Sequence, residues 1–142
     1  SEESQYILGA QANLWTEQIL SLRSAQYLTW PRSMSIAETL WSPKEKKNWQ
    51  NFSGKVERQF EILDALNIKH AKSMYDPIVT TTSNTKGELI AKMEGEVDNL
   101  KFYYTIDESL PDQFSDEYKG AFVVPSDVTI LRVISYRNGK PA

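Results

Sequence analysis

The sequence predicts an α+β fold, with helices in the first half and a small antiparallel β-sandwich in the second. Two observations carry this. Between residues 18 and 66 the apolar side chains recur at steps of three and four, the period of a helix face. From about residue 89 onward the period falls to two, the signature of half-buried strands.

Residues 7–14 are a short apolar run ending just before Trp15-Thr16-Glu17, which predicts a buried strand opening into a loop. From residue 18 to 41, Trp30, Met34, Ala37 and Trp41 fall on one helical face. Pro31 would cost a straight helix a backbone hydrogen bond. One helix is therefore expected to end near Trp30 and another to begin at Pro31. Ser42-Pro43-x-Glu45 reads as a further helix start with Ser42 as its cap. Trp49, Phe52, Val56, Phe60, Leu63 and Leu66 supply that helix's buried stripe, and Asn67 ends it.

After Tyr75-Asp76-Pro77, the tract from Thr80 to Thr85 has no helical period and reads as a linker or a strand entry. Leu100, Phe102, Tyr104 and Ile106 then alternate with Lys101, Tyr103, Thr105 and Asp107. Val128 to Tyr136 is apolar on both faces except at Arg132, as a central strand would be, and Leu89–Met93 and Ala121–Val124 complete four strands. The β half is a thin core by itself, so it is expected to lean on the helical half or to draw on strands beyond Ala142. The organisation expected is residues 1–77 as one part and 78–142 as the other.

Composition excludes several classes. The chain has 142 residues, a formal charge of −3 and no dense Lys/Arg stretch, so a nucleic-acid partner is not expected. It has no Cys, which removes disulfides and thiolate metal sites. No apolar run approaches the roughly 20 residues that span a bilayer. Ser1-Glu2-Glu3-Ser4 is the reverse of a basic leader, so any export signal would lie upstream.

Gln11-Ala12-Asn13-Leu14-Trp15-Thr16-Glu17 closely resembles the motif that ends the last barrel strand in family 20 β-N-acetylhexosaminidases. Pro31-Arg32, Ala37-Glu38 and Trp41-Ser42 are similar to that family's segment in the helix closing the barrel. Arg58, Leu63 and Leu66-Asn67-Ile68 resemble the stretch leaving it. Phe102-Tyr103-Tyr104-Thr105-Ile106-Asp107, with Pro111, Ser115 and Tyr118, resembles the small C-terminal β domain often joined to these enzymes. Glu108 stands where that domain commonly has Gly, so a different turn is expected there.

The resemblance implies that the helical half is the tail of a truncated (β/α)8 barrel. The whole protein would then remove terminal N-acetylglucosamine or N-acetylgalactosamine from glycans, in the periplasm or after secretion, with no cofactor and no metal. It implies that Trp15 lines the pocket around the terminal sugar and that Glu17 accepts hydrogen bonds from its hydroxyls. Physical chemistry agrees with both roles. An indole covers an apolar sugar face while keeping a polar N–H, and a carboxylate makes charge-assisted hydrogen bonds to hydroxyls. Without the resemblance, Glu17 reads as a first-turn helix acid and Trp15 as core.

In that family the substrate's own acetamido oxygen attacks the anomeric carbon, and an Asp-Glu pair on an earlier strand assists. No stretch like the one preceding that pair occurs here, so the chain alone is expected to be inactive. The doublets Glu2-Glu3, Asp107-Glu108 and Asp116-Glu117 read as solvated surface acids. His70, the only histidine, reads as a surface or helix-end residue rather than a metal ligand. A different class of answer is a carbohydrate-binding or interaction module working through exposed Tyr103 or Tyr118. The apolar stripe of Trp30, Met34, Ala37 and Trp41 predicts self-association, or a rearranged segment over residues 6–14.

Overall fold

The computed structural model describes residues 6–142. The chain divides into two compact units, one up to Ala71 and the other Lys72–Ala142. The first is helical and the second is built of antiparallel sheets, so the class is α+β.

The helical unit contains α1 (Leu22–Thr29), α2 (Arg32–Trp41) and α3 (Trp49–Ala65). Ser21 caps α1 by accepting from the Ser24 amide at 3.1 Å. The break between α1 and α2 falls at Trp30-Pro31, where the helical period and the proline together place it. The start of α3 differs from the sequence expectation. Pro43 leads only into a 3-10 turn over Lys44–Lys46, and the helix begins at Trp49 with Asn48, six residues after Ser42, as its cap, accepting from the Asn51 amide at 3.0 Å. Ser42 instead closes the C-terminus of α2, its amide donating to the Glu38 carbonyl at 3.1 Å.

Helix α3 carries the core of this unit. Ser53, Val56, Phe60 and Leu63 are buried at the spacing of one face. Each of the three apolar side chains contributes on the order of 1.5–3 kcal/mol by leaving water. The predicted stripe frays at its ends, where Trp49 is 46% and Leu66 64% exposed. Asn67 ends the helix as expected and does so in the left-handed region, at φ 54°. Its amide bonds the Asp64 carbonyl at 3.0 Å and the Ile68 amide the Leu63 carbonyl at 2.8 Å, a pattern that satisfies two otherwise orphaned carbonyls.

His70 is a correction. It is not at the surface but buried, its ring stacked on Phe60 with centroids 4.4 Å apart. Its Nδ1 lies 3.3 Å from the Ile68 carbonyl and 3.8 Å from an Asp64 carboxylate oxygen.

The segment 7–14 is a second correction, because no strand forms there. A strand is held by its ladder, and among the described residues of this unit there is no other strand to pair with. Leu8 is fully exposed and Ile7 73% exposed.

The second unit has β1 (Ile78–Ser83), β2 (Leu89–Glu94), β3 (Leu100–Thr105), β4 (Asp116–Glu117), β5 (Phe122–Val123), β6 (Arg132–Arg137) and β7 (Lys140–Pro141). They form a three-stranded sheet ordered β1-β2-β5 and a four-stranded sheet ordered β4-β3-β6-β7, antiparallel throughout. The threonine tract is thus a strand, paired with β2 from Ile78↔Glu94 to Ser83↔Leu89. β6 is central, between β3 and β7, as its two apolar faces predict. Ala91 and Met93 of β2 and Phe102 of β3 are buried at alternate positions. Tyr104 of β3 stacks on Phe122 of β5 at 4.6 Å, joining the two sheets.

The loops are fixed by side chains. Asn84 accepts from the amides of Lys86 and Glu88 at 2.9 and 3.0 Å, holding the β1–β2 turn. Asn138 and Gly139, both at positive φ, make the tight β6–β7 turn that such pairs favour. Glu108, standing where the resembling domains carry Gly, still adopts φ 66°.

Candidate functional site

The candidate residues Trp15 and Glu17 lie on an irregular arm that leads into α1. Ala12, Asn13 and Leu14 of the arm line a cleft with Leu28 and Thr29 of α1 and Arg32, Ser33 and Ile36 of α2. The first signature segment therefore lies against the second, at the joint between the two helices. Beyond the cleft the chain turns at Thr16, whose carbonyl accepts from the Ile19 amide at 3.0 Å.

Trp15 is 72% exposed, so it is not a core residue. Glu17 stands in the turn, five residues before α1 starts, so it does not neutralise that helix's N-terminus; the first turn of α1 holds no acid at all. Among the described residues its carboxylate has neither an ion-pair nor a hydrogen-bond partner. The fold uses neither side chain. An exposed indole two residues from an uncommitted carboxylate can offer an apolar face and hydrogen-bond acceptors to one polyhydroxylated ligand.

The remaining signature residues are used by the fold. Arg32 donates from Nη1 to the carbonyls of Tyr27 and Leu28 at 3.1 and 3.2 Å, satisfying the C-terminal end of α1 from the first residue of α2. Glu38 receives Lys55 on both carboxylate oxygens, at 3.0 and 3.1 Å, and bonds the Ser42 side chain. Sequence reasoning marked Arg32, Glu38 and Ser42 but did not find what they do. Arg32 and Glu38 have partners in other elements, at Tyr27 and Lys55, which no local pattern signals, whereas Ser42 meets Glu38 four residues back at the end of α2.

The acidic doublets are absorbed into turns and sheet edges. Asp107 accepts from the Ser109 hydroxyl at 2.6 Å and its amide at 3.1 Å, and these bonds hold its carboxyl below the usual range. Glu117 pairs with Lys101 at 3.3 Å, and Asp116 lies beside it on the short exposed β4. Glu2-Glu3 lies outside the described residues. Of the two tyrosines considered as a sugar platform, Tyr103 packs edge-on to Tyr136 at 5.2 Å and Tyr118 edge-on to Phe102 at 6.4 Å. Both are half-buried, so part of each ring is already occupied. Pro111 and Ser115 belong to the loop before β4, where the Ser115 hydroxyl accepts from the Asp112 amide at 2.9 Å.

Residues 1–44 match the family model described as glycosyl hydrolase family 20, catalytic domain, and residues 92–142 match the one described as Fn3 associated. The chain is 28% identical over 123 residues to a β-hexosaminidase of Porphyromonas gingivalis, covering 83% of this chain and 15% of that protein. It is 38% identical over 61 residues to a β-hexosaminidase of Akkermansia muciniphila, covering 42% and 12%. With a β-N-acetylhexosaminidase of Cellulomonas fimi it shares 27% over 63 residues, 44% of this chain and 13% of that one. The chain thus spans about a seventh of the length of the curated relatives it matches.

Proposed function

We propose, from the premise that this chain is related to the family 20 β-hexosaminidases, that it supplies part of the sugar subsite of an exo-acting β-N-acetylhexosaminidase. On this reading residues 1–77 are the last strand and closing helices of a (β/α)8 barrel, with 7–14 taking up strand geometry only beside neighbouring strands, and 78–142 form the appended β-sandwich domain. Trp15 packs against the terminal N-acetylhexosamine and its acetamido group, and Glu17 receives the sugar's hydroxyls. The substrate is a glycan with a terminal N-acetylglucosamine or N-acetylgalactosamine. Cleavage proceeds with retention through the substrate's acetamido oxygen, and the general acid comes from sequence outside these 142 residues. Meeting such glycans calls for a periplasmic or secreted protein. Among the described residues no helix is long and apolar enough to cross a membrane.

The observation that carries the proposal is that, within the stretch matching the catalytic domain, Trp15 and Glu17 are left unused by the fold, while Arg32 and Glu38 are spent on it. A position at the end of a barrel strand would put both on the catalytic face. Chemistry would still need groups from other strands, held in place together, so the chain alone is inactive.

Two measurements test this. The purified chain incubated with a chromogenic N-acetylglucosaminide shows no turnover above background; turnover abolished by a point substitution in this chain would reveal an acid within it. Residues 6–44 are then grafted into the Porphyromonas gingivalis enzyme in place of its matching stretch. In that chimera Glu17→Gln lowers kcat/KM by about a hundredfold, the scale of losing a charged contact made to the reacting sugar. Unchanged kinetics in an active chimera would remove Glu17 from the subsite.

A further inference from the structure

The β6–β7 turn holds the one asparagine of the sequence that a glycine follows, Asn138-Gly139. Tyr136 pairs with Pro141 and Arg137 with Lys140, so the ladder stops at the residues flanking the turn. Both turn residues are exposed. Among the described residues neither the Gly139 amide nor the Asn138 side chain has a hydrogen-bond partner. Nothing lies within 4 Å of the point where a Cβ on Gly139 would stand, so the Asn138 side chain has room to swing over the backbone that follows it.

Other asparagines are held where Asn138 is free. The Asn84 side chain donates to a Glu88 carboxylate oxygen at 2.8 Å and accepts from the amides of Lys86 and Glu88. Asn48 is fixed as the cap of α3. Each of these is followed by a residue with a Cβ, Thr85 or Trp49, which crowds the next backbone nitrogen. Glycine leaves that nitrogen open to approach. Asparagine is among the thermolabile residue types, and exposed turns are where a chain tolerates covalent change.

We propose that Asn138 is a site of spontaneous covalent modification, converted to aspartate and isoaspartate in the folded protein, and that the isoaspartyl form releases β7 from β6. The Gly139 nitrogen attacks Cγ of Asn138 and gives up its proton, the Cγ–Nδ2 bond breaks, and ammonia leaves. Water then opens the cyclic imide. Opening at Cγ leaves aspartate; opening at the main-chain carbonyl leaves isoaspartate, whose backbone runs through the former side chain. Both products carry a new negative charge, and isoaspartate also adds one carbon to the main chain of the turn. A two-residue hairpin sets its register by its length, so the added carbon breaks the match of Arg137 with Lys140 and of Tyr136 with Pro141. This inference is independent of the enzymatic reading.

The full chain is held at mildly alkaline pH, one sample folded and one in urea, and both are followed by peptide mapping with mass spectrometry. Amide-to-acid conversion at Asn138 in the folded sample runs about tenfold faster than at any other asparagine, and within about tenfold of its own rate in urea, because the turn gives it no protection. The Ala142 amide donates to the Ser135 carbonyl at 3.1 Å and so reports on whether β7 is docked. In the isoaspartyl form it exchanges with solvent at least about tenfold faster than in the Asn138→Asp variant, which has the charge without the added carbon. Conversion spread evenly over the asparagines, a folded rate lower than this relative to urea, or an Ala142 amide that exchanges alike in the two forms overturns the proposal.

Discussion

Lys55 on α3 donates to both carboxylate oxygens of Glu38 on α2, at 3.0 and 3.1 Å, so a residue marked by sequence resemblance serves as the fastener between two helices. The hydrogen bond from Lys55 is the largest influence on Glu38, and it lowers the pKa of that carboxyl from its ordinary value. A carboxylate with a lowered folded pKa adds stability that is complete above its unfolded pKa and is lost as pH falls through the folded one. Acidification through and below the ordinary glutamate range is therefore expected to lower the thermal midpoint of the helical unit. Glu38→Gln should flatten that part of the pH profile. An unchanged slope in the variant would show that Glu38 carries none of it.

The helix start at Asn48 gives a second prediction. Asn48→Ala removes the cap of a 17-residue helix and should cost about 1 kcal/mol in urea unfolding. Ser42→Ala, at the position the Ser-Pro pattern points to, should leave the start of α3 intact. A larger loss at Ser42 would return the cap to the sequence expectation.

Phe60 is 5% exposed and stacks on His70, and the helical unit has few other buried apolar side chains. Phe60→Ala should cost about 3–5 kcal/mol, which approaches the whole stability of a small unit at the low end of the usual range of about 5–15 kcal/mol. Far-ultraviolet circular dichroism would then lose the helical signal and retain the β signal.

Glu108 holds a left-handed conformation that costs a residue with a Cβ about 1–2 kcal/mol. Glycine removes that cost and adds about 0.5–1 kcal/mol of chain entropy loss. Glu108→Gly is thus expected to stabilise the β unit by roughly 0.5 kcal/mol. Denaturant titration checks the sign.

Trp15→Ala and Glu17→Gln should each change the unfolding free energy of the chain by less than about 0.5 kcal/mol, the scale of surface substitutions that disturb no packing or pairing. A loss of several kcal/mol at either position would mean that the fold does use it, and would weaken the case for a ligand.

What was legible in the sequence was whatever a short window encodes. The step of three and four places α1 and α2 on either side of Trp30-Pro31, Asn67 announces the end of α3, alternation places β3, and the run from Val128 to Tyr136 that is apolar on both faces places the central β6, which begins only at Arg132. An apolar run such as 7–14 suits a strand, but a strand needs partners, and a short window cannot say that they are present. The cap at Asn48 was missed because Ser42-Pro43 offered a stronger local pattern, which the chain used for a 3-10 turn. Asn138-Gly139 carries the local signal of the tight turn it makes. At the candidate site, Trp15 and Glu17 were visible only through resemblance. The structure adds that they are exposed, and it gives Arg32 and Glu38 their partners across α1 and α3.

The bonds around α1 also bear on the order in which the helical unit assembles. Helix α1 is eight residues long with no buried side chain, too short to persist unaided. Its closures come from outside. Arg32 takes its last carbonyls, Gln26 accepts from the Lys69 amide at 3.2 Å, and the Trp30 carbonyl just beyond it accepts from the Ala71 amide at 2.9 Å. The segment 69–71 thus runs alongside α1 in the same direction. α1 is therefore expected to open before α3, and its amides should exchange with solvent well ahead of those facing the core in α3. A chain emerging from the ribosome must be synthesised past Ala71 before the stretch leading from Trp15 into α1 acquires a fixed geometry.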